Sequence, residues 1–256
     1  MTERLLLLLA LAAYAVAAIA AGLALRRRRI GRLRAASIVA SAAGLCLQIA
    51  FTALRAAATG FLPFASRFES LALFAGSVQV VGLIVYLATR QHSAKLGSDA
   101  AGVLLLVGAL MPVGFHPGGD LNPILNSRWF AFHILVAFGG YACFTTGLTW
   151  SIAALADRRL ELNPAVPRRL ALAGLFLLGL GILAGAAWAD SAWGKWWGWD
   201  PKESWALLTW TLGMAGLHLK LFERRQLAVP GFGLVFAAMM FTFIGVNLLR
   251  WGVHRY

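Results

Sequence analysis

Eight long apolar runs divide this chain, and they constrain its fold more than any other feature of the sequence. A helix needs about 20 mostly apolar residues to cross a membrane, and each run meets or approaches that length. The runs cover residues 5–25, 35–54, 71–89, 100–115, 129–155, 170–189, 203–221 and 229–249. We therefore predict an all-α protein, a polytopic integral membrane bundle of about eight transmembrane helices, with residues 1–256 in a single membrane domain. The fourth run is short and Pro112 interrupts it near its end, so its full span is left open.

The composition excludes the common soluble classes. Hydrophobic residues make up 60% of the chain and charged residues 13%, whereas soluble domains have about 45–50% apolar and about a quarter charged residues. A disordered chain, a disulfide-rich secreted scaffold and a soluble enzyme are all inconsistent with these values. The remaining class is a membrane protein.

Positive charge is distributed unevenly between the loops that join these runs. The chain has 23 Lys and Arg against 10 Asp and Glu, a net charge of +13. With eight spans and an external N-terminus, 15 of the 23 basic residues fall in the inner loops, which are 26–34, 90–99, 156–169 and 220–228. Omitting the fourth run lowers the inner share to 13. Because inner loops are enriched in Lys and Arg, we predict both termini on the outer, periplasmic side. The charge indicates topology and lipid-bilayer contact, and we expect no nucleic-acid partner.

Tryptophan is concentrated in one stretch near the predicted outer end of the seventh run. Seven of the ten tryptophans lie between residues 188 and 210, interleaved with Gly194 and Gly198. Glycine lets the backbone turn tightly and approach a partner. The external loop 190–203 can therefore present a rigid aromatic platform to a large planar apolar ligand. The candidate binding residues are Trp193, Trp196, Trp197, Trp199 and Asp200. Anchoring at the membrane interface is the alternative role for these tryptophans.

Asp200 has a second predicted role, as the cap of the seventh helix. Aspartate is favoured at the N-cap and proline at the first helical position, and Asp200-Pro201 is followed by Glu203 in the first turn. The two roles are compatible, because a cap fixes the aromatic loop against the helix end.

Three of the five histidines lie where they could ligate iron. In the predicted topology His133 lies at the outer start of the fifth run and His254 lies just past the outer end of the eighth. An imidazole on each face of a planar macrocycle holds haem iron in six-coordinate form; solvated interfacial side chains are the alternative. His218 lies inside the seventh run, where an ionisable residue is a functional hypothesis with an expected partner; snorkelling is the alternative. His92, in an inner loop, and His116, in an outer turn, are expected to be solvated.

The Trp-rich stretch resembles a known family signature. The run 193–207, WGKWWGWDPKESWAL, closely resembles the WWD signature of haem-handling membrane proteins. Its continuation, DPKESWAL, is similar to the CcsA/ResC family of system II cytochrome c assembly proteins, whereas the CcmC and CcmF families continue differently. Further similar stretches are 68–71, 129–133 with Tyr141, and 243–249 followed by 252–254. The resemblance covers residues 60–256.

The resemblance implies haem handling and delivery for cytochrome c maturation, with haem b as the cargo. It implies that His133 and His254 are the axial iron ligands of an outer haem held against the Trp-rich loop. It also implies that His218 is the axial ligand of an intramembrane haem, whose opposing ligand comes from a CcsB/ResB partner. The chain would then be the haem-presenting subunit of a holocytochrome c synthase complex.

The resemblance also implies clients and a compartment. The expected client is an apocytochrome c with a Cys-x-x-Cys-His motif, and a thioredoxin-like thiol reductant is a further expected partner. The expected compartment is the bacterial plasma membrane with the Trp-rich site on its external face; a chloroplast thylakoid membrane is the alternative. The alternative functions are a CcmC-type haem exporter or chaperone-loading protein, a HemX-like regulator, and a transporter of an unrelated solute.

Overall fold

The structure is a computed structural model that describes residues 2–26, 31–64, 66–111, 123–156, 163 and 165–249. It contains eight long helices, which are α1 (Thr2–Arg26), α2 (Gly31–Thr59), α3 (Arg67–Thr89), α4 (His92–Leu110), α5 (Arg128–Ala156), α6 (Ala165–Trp193), α7 (Pro201–His218) and α8 (Arg225–Met240). A π-helical segment, Phe241–Gly245, and a short helix, Val246–Leu248, continue α8. No strand occurs among these residues, so the predicted all-α fold is confirmed.

Seven of these helices are long and apolar enough to cross a membrane, when α8 is counted with its continuation to Leu248. The exception is α7, an 18-residue helix whose apolar content is lowered by Lys202, Glu203 and His218. The predicted polytopic membrane bundle of about eight helices is confirmed, and the chain is a membrane protein. The orientation of its termini stays a prediction, and Pro112 lies outside the described residues.

The fourth helix corrects one sequence prediction. It begins at His92 rather than at residue 100, so the assignment of 90–99 to an inner loop was wrong. Lys95 and Asp99, counted there as loop charges, are buried and form an ion pair of 2.7 Å between Nζ and Oδ1. Opposite charges four residues apart support a helix, so the helix continues through them. His92, expected to be solvated, is the first residue of α4, and its Nδ1 is buried. The 19 residues of α4 span about 28 Å, close to the thickness of the hydrocarbon layer.

The chain forms two compact units, and the first comprises Met1–Leu121. In this unit α1 contacts α2 and α4, and α3 contacts the same two helices, so the four helices form a closed ring. Arg55 of α2 joins three of them. Its Nε lies 2.8 Å from Oε1 of Glu69 on α3, and its Nη1 lies 3.0 Å from Oε2 of Glu3 on α1. Arg55 and Glu69 are buried, so their ion pair is part of the interior of this unit.

Removing the Arg55 guanidinium should destabilise the first unit strongly. In Arg55→Met the buried carboxylate of Glu69 keeps its place and loses its cation, and breaking a buried pair in this way costs about 3–5 kcal/mol. The measurement is the thermal unfolding midpoint of the purified chain in detergent. Arg168→Met is the matched control, because Arg168 pairs with Glu223 at 3.3 Å but is exposed, and such pairs contribute about 1 kcal/mol or less. Equal midpoints for the two variants would contradict this role of Arg55.

The second unit comprises Asn122–Tyr256 and contains α5 to α8. Here α5 contacts α6 and α8, and α7 contacts the same two helices, which gives a second closed ring. Glycine allows α5 and α6 to approach closely, since a Cβ at Gly140 would lie 3.0 Å from the carbonyl oxygen of Gly174. The ring of Trp205, in the second turn of α7, lies 4.2 Å from that of Phe241 in the π segment. The start of α7 and the end of the last helical run therefore lie at the same end of this unit.

Candidate functional site

The Trp-rich stretch connects α6 to α7 at this end of the second unit. Helix α6 continues through Trp193, and Gly194 ends it in the left-handed conformation, with φ +69°. The Gly194 amide donates to the carbonyl oxygen of Asp190 at 2.8 Å. Residues 194–200 are non-helical, and α7 begins at Pro201. Within the predicted loop 190–203, Trp193 therefore belongs to the last turn of a helix, whereas the other three candidate tryptophans lie in the non-helical part.

Asp200 and Glu203 fix the end of this loop. Asp200 is the N-cap of α7, as predicted, and its Oδ1 accepts a hydrogen bond from the Lys202 amide at 2.9 Å. Glu203 Oε2 accepts one from the Asp200 amide at 3.1 Å, which completes a capping box. The same oxygen also accepts one from the Gly198 amide at 2.8 Å. Glu203 thus connects the loop to the helix by accepting hydrogen bonds from two backbone amides, one on each side of Trp199.

Trp199 is held in a conformation that is unusual for its residue type. Its φ is +54°, in the left-handed region, where a non-glycine residue costs about 1–3 kcal/mol. Its side chain is 70% exposed and that of Trp196 is 60% exposed. The rings of Trp197 and Trp199 meet edge to face, with centroids 5.7 Å apart. The loop therefore displays large aromatic surfaces that the described chain does not cover, as a site for a planar apolar ligand would require.

His133 lies in the second turn of α5, and its imidazole has a defined orientation. Its Nδ1 lies 2.6 Å from the carbonyl oxygen of Gly181 on α6. A carbonyl oxygen only accepts hydrogen bonds, so Nδ1 carries the proton and donates it. In that tautomer Nε2 carries the lone pair, which is the form that ligates a metal. Nε2 is therefore the ring nitrogen through which His133 would ligate a metal.

Gly185 provides the space that this imidazole occupies. A Cβ built at Gly185 would lie 2.8 Å from Nδ1 and 3.0 Å from Cε1 of His133. These distances are shorter than carbon–nitrogen and carbon–carbon contacts allow, so any side chain at this position would displace the ring. Gly181 and Gly185 lie one turn apart on α6. Gly181 supplies the hydrogen-bond acceptor for His133, and Gly185 supplies the space for its ring.

Aromatic contacts connect His133 with the start of the Trp-rich loop. The His133 ring centroid lies 6.5 Å from that of Phe130, which lies 4.8 Å from Trp188. Trp188 is 4.8 Å from Trp193, and its Nε1 donates to the carbonyl oxygen of Ile124 at 2.9 Å. The structure therefore brings His133 and Trp193 to one aromatic cluster. Trp188 is 2% exposed, so it supports the cluster from within.

His218 lies at the opposite end of α7. It is the last residue of that helix, 18 residues from Asp200 and therefore about 27 Å along the helix axis. Its side chain is exposed, and its Nδ1 lies 2.9 Å from the carbonyl oxygen of Met214, so this imidazole is also in the Nδ1–H tautomer. The structure does not bring His218 to the cluster around His133. His254 lies outside the described residues.

Several contributors to this site were missed by the sequence reasoning. Phe130 lies three residues before His133 on α5, which places both on one helix face, so the spacing could have indicated it. Trp188 was counted in the Trp-rich stretch without a role. Gly181 and Gly185 had no local signal, because their function depends on a contact with α5, 48 residues away for the Gly181 carbonyl.

Comparison with known proteins identifies relatives over most of the chain. The profile of the cytochrome C assembly protein family matches residues 4–254. The cytochrome c biogenesis protein CcsA of Synechococcus sp. (strain WH7803) is 31% identical, over 87% of this chain and 86% of that protein. The CcsA protein of Chlamydomonas reinhardtii is 32% identical, over 77% of this chain and 62% of that protein. The chain belongs to the cytochrome c assembly protein family.

Proposed function

We propose that this chain handles haem in system II cytochrome c biogenesis and presents haem b for attachment to apocytochrome c. Family membership supports a function in cytochrome c biogenesis. The observation that carries the haem assignment is the 2.6 Å contact of His133 Nδ1 with the Gly181 carbonyl oxygen, beside an aromatic cluster. A neutral imidazole that is protonated at Nδ1 ligates through Nε2, and such a ligand suits haem iron.

The outer site of this proposal is built from His133 and the Trp-rich loop. His133 Nε2 provides one axial ligand, and Trp196 and Trp199 provide exposed aromatic surface for the macrocycle. Asp200 acts through the loop, because its cap sets where Trp199 lies. His254 is proposed as the opposing ligand on its sequence position and family resemblance alone. Two axial imidazoles and an apolar surround would hold the cargo in one orientation and exclude water from it.

An inner site is proposed at His218. Its imidazole is exposed on the described chain and is held by Met214 in the tautomer that leaves Nε2 as the ligand. An exposed ligand at a helix end is suited to a site completed by a second subunit. We therefore assign the opposing ligand to the CcsB/ResB partner, as the family resemblance implies. Haem would pass from this inner site to the outer one.

The attachment step belongs mainly to the cargo and its client. Each Cys thiol of the apocytochrome Cys-x-x-Cys-His motif adds across one haem vinyl group, which forms a C–S bond and transfers the thiol proton to the neighbouring carbon. A thioredoxin-like reductant keeps these thiols reduced. This chain contributes orientation, since a fixed macrocycle raises the effective concentration of the vinyl groups at the thiols. The proposed location is the external face of the bacterial plasma membrane.

The proposal is tested by the visible spectrum of the chain purified with and without its CcsB/ResB partner. We expect a six-coordinate low-spin haem signature that His133→Ala removes or alters, because one axial ligand is lost. Phe132→Ala is the matched control, since Phe132 is the neighbouring exposed residue of α5 and its truncation should leave the spectrum unchanged. A colourless protein that still supports cytochrome c assembly would contradict the proposal.

The inner site has its own outcome in the same experiment. His218→Ala should remove a haem population that His133→Ala leaves in place, because His218 ends α7 and the structure does not bring it to the cluster around His133. The measurement is haem content per chain in the complex with the partner. An unchanged haem content in His218→Ala would refute the role of His218 and leave the assignment of His133 intact.

A further inference from the structure

The first unit contains a buried charge cluster that haem handling does not use. Lys95 Nζ donates to Asp99 Oδ1 at 2.7 Å and also to Ser41 Oγ. The Ser41 hydroxyl donates to the same Asp99 oxygen at 2.6 Å. Gln79 of α3 adjoins the group, with its Oε1 3.3 Å from Ser41 Oγ. Lys95 is 1% exposed and Asp99 is 0% exposed, so both charges are enclosed inside the unit.

An ion pair at this position is costly and calls for a functional explanation. It lies in a helix that is long and apolar enough to cross a membrane, where ionisable residues are rare and mark ion or proton pathways. Replacing a buried ion pair by well-packed apolar residues is often neutral or stabilising. The stability of the unit therefore gives little reason to keep Lys95 and Asp99.

One carboxylate oxygen of the cluster has no hydrogen-bond partner in the described chain. Asp99 Oδ1 accepts two hydrogen bonds, whereas Oδ2 is buried and has no partner among the described residues. Three more buried atoms of α2 and α4 also have no hydrogen-bond partner in the described chain: Ser37 Oγ, one turn before Ser41, and Ser93 Oγ and His92 Nδ1 in the first turn of α4. A pair kept only for structure would have its buried oxygens satisfied. These unsatisfied atoms are proton acceptors and donors in the first two or three turns of their helices.

We propose that Asp99, paired with Lys95, is a proton-binding site inside the first unit. A proton from water adds to Oδ2 and converts the carboxylate to a carboxylic acid, while Lys95 stays an ammonium. The site therefore changes from zero net charge to one positive charge. A metal cation does not fit, because the Lys95 ammonium already occupies the position of a cation against the carboxylate. The hydroxyls and the imidazole at the start of α4 provide the exchange route.

The neighbouring helices contribute few charges that would compete with this role in the described chain. From α1 the Tyr14 phenol interacts electrostatically with Asp99, and its hydroxyl donates to Gln48 Oε1 at 2.5 Å. From α2 and α3 the facing groups, Ser41 and Gln79, are neutral. Arg34 of α2 interacts with His92 rather than with the pair. Lys95 is therefore the charge that controls the protonation of Asp99.

The test is infrared spectroscopy of the full chain in lipid nanodiscs, titrated over pH in H2O and in D2O. A carboxylic acid in apolar surroundings has a high-frequency C=O band that a carboxylate lacks and that shifts in D2O. We expect the Asp99 component of this band to appear on acidification in the wild-type chain and to be missing in Asp99→Asn, whereas the component of Glu69, another buried carboxylate described above, remains. Glu223→Gln is the matched control and should keep the band, because Glu223 is also paired with a cation, Arg168, but is partly exposed.

Lys95→Met is the second variant tested in the infrared titration. It leaves a buried carboxylate without a counter-charge, a state that such a group avoids by binding a proton. The band is therefore expected already at neutral pH in this variant, where the wild-type chain lacks it. If Asp99→Asn fails to fold, the neutral pair Lys95→Met with Asp99→Asn replaces it, and the Asp99 component of the band should again be missing. Identical titrations of the wild-type chain and the variants without Asp99, or a Lys95→Met spectrum without the band at neutral pH, would overturn the proposal.

Discussion

Gly185→Ala is expected to lower the affinity of the outer site for haem by about 10–100-fold, because it displaces the imidazole of His133. The added Cβ would lie 2.8 Å from His133 Nδ1, so the ring must move and lose its 2.6 Å contact with the Gly181 carbonyl. Groups that orient a metal-ligating histidine contribute affinity on this scale. The measurement is haem titration of the purified chain, with the low-spin signature recorded at saturation.

Gly233→Ala is the control for that experiment. Gly233 is also a helical glycine of the second unit, and a Cβ built there meets nothing within 4 Å. Both variants gain helix propensity to the same extent, so only Gly185→Ala should change the spectrum. Wild-type haem affinity in Gly185→Ala would show that the position of the imidazole does not limit binding. It would leave the role of His133 itself to be decided by His133→Ala.

Helix positions in this chain follow from hydropathy, because a membrane demands a long apolar segment for each crossing. The first run, predicted as 5–25, is the helix Thr2–Arg26, and the fifth, predicted as 129–155, is Arg128–Ala156. The cap of α7 was equally predictable, since Asp200, Pro201 and Glu203 act within one turn of each other. Local rules are sufficient for features of this kind.

The sequence predictions failed where a feature depends on hydrogen bonds or ion pairs with residues distant in the sequence. The start of α4 was placed too late because Lys95 and Asp99 read as loop charges, and only their pairing with each other and with Ser41 makes burial tolerable. The tautomer of His133 depends on a carbonyl group of another helix. No property of either residue alone predicts such a contact, because the approach of α5 to α6 must be known first.

The aromatic loop shows how local and distant effects combine. Its composition alone indicated an aromatic platform, and the exposed rings of Trp196 and Trp199 agree with that expectation. The sequence did not indicate that Trp199 has a φ of +54°. A residue in this region persists only when its surroundings fix it, and the two hydrogen bonds to Glu203 on either side supply that constraint. The exposure of these aromatic rings thus depends on the carboxylate of Glu203.

Glu203→Ala should therefore release the loop. The Gly198 and Asp200 amides lose their common acceptor and α7 loses half of its capping box, at a cost of about 1–3 kcal/mol. We expect hydrogen–deuterium exchange of these two amides to accelerate by about tenfold or more, since each 1.4 kcal/mol is a factor of ten in local opening, and haem affinity to fall with it. Glu203→Gln keeps an acceptor oxygen and should retain most of the protection. Unchanged exchange at both amides in Glu203→Ala would mean that contacts of the tryptophans, rather than this carboxylate, hold the loop.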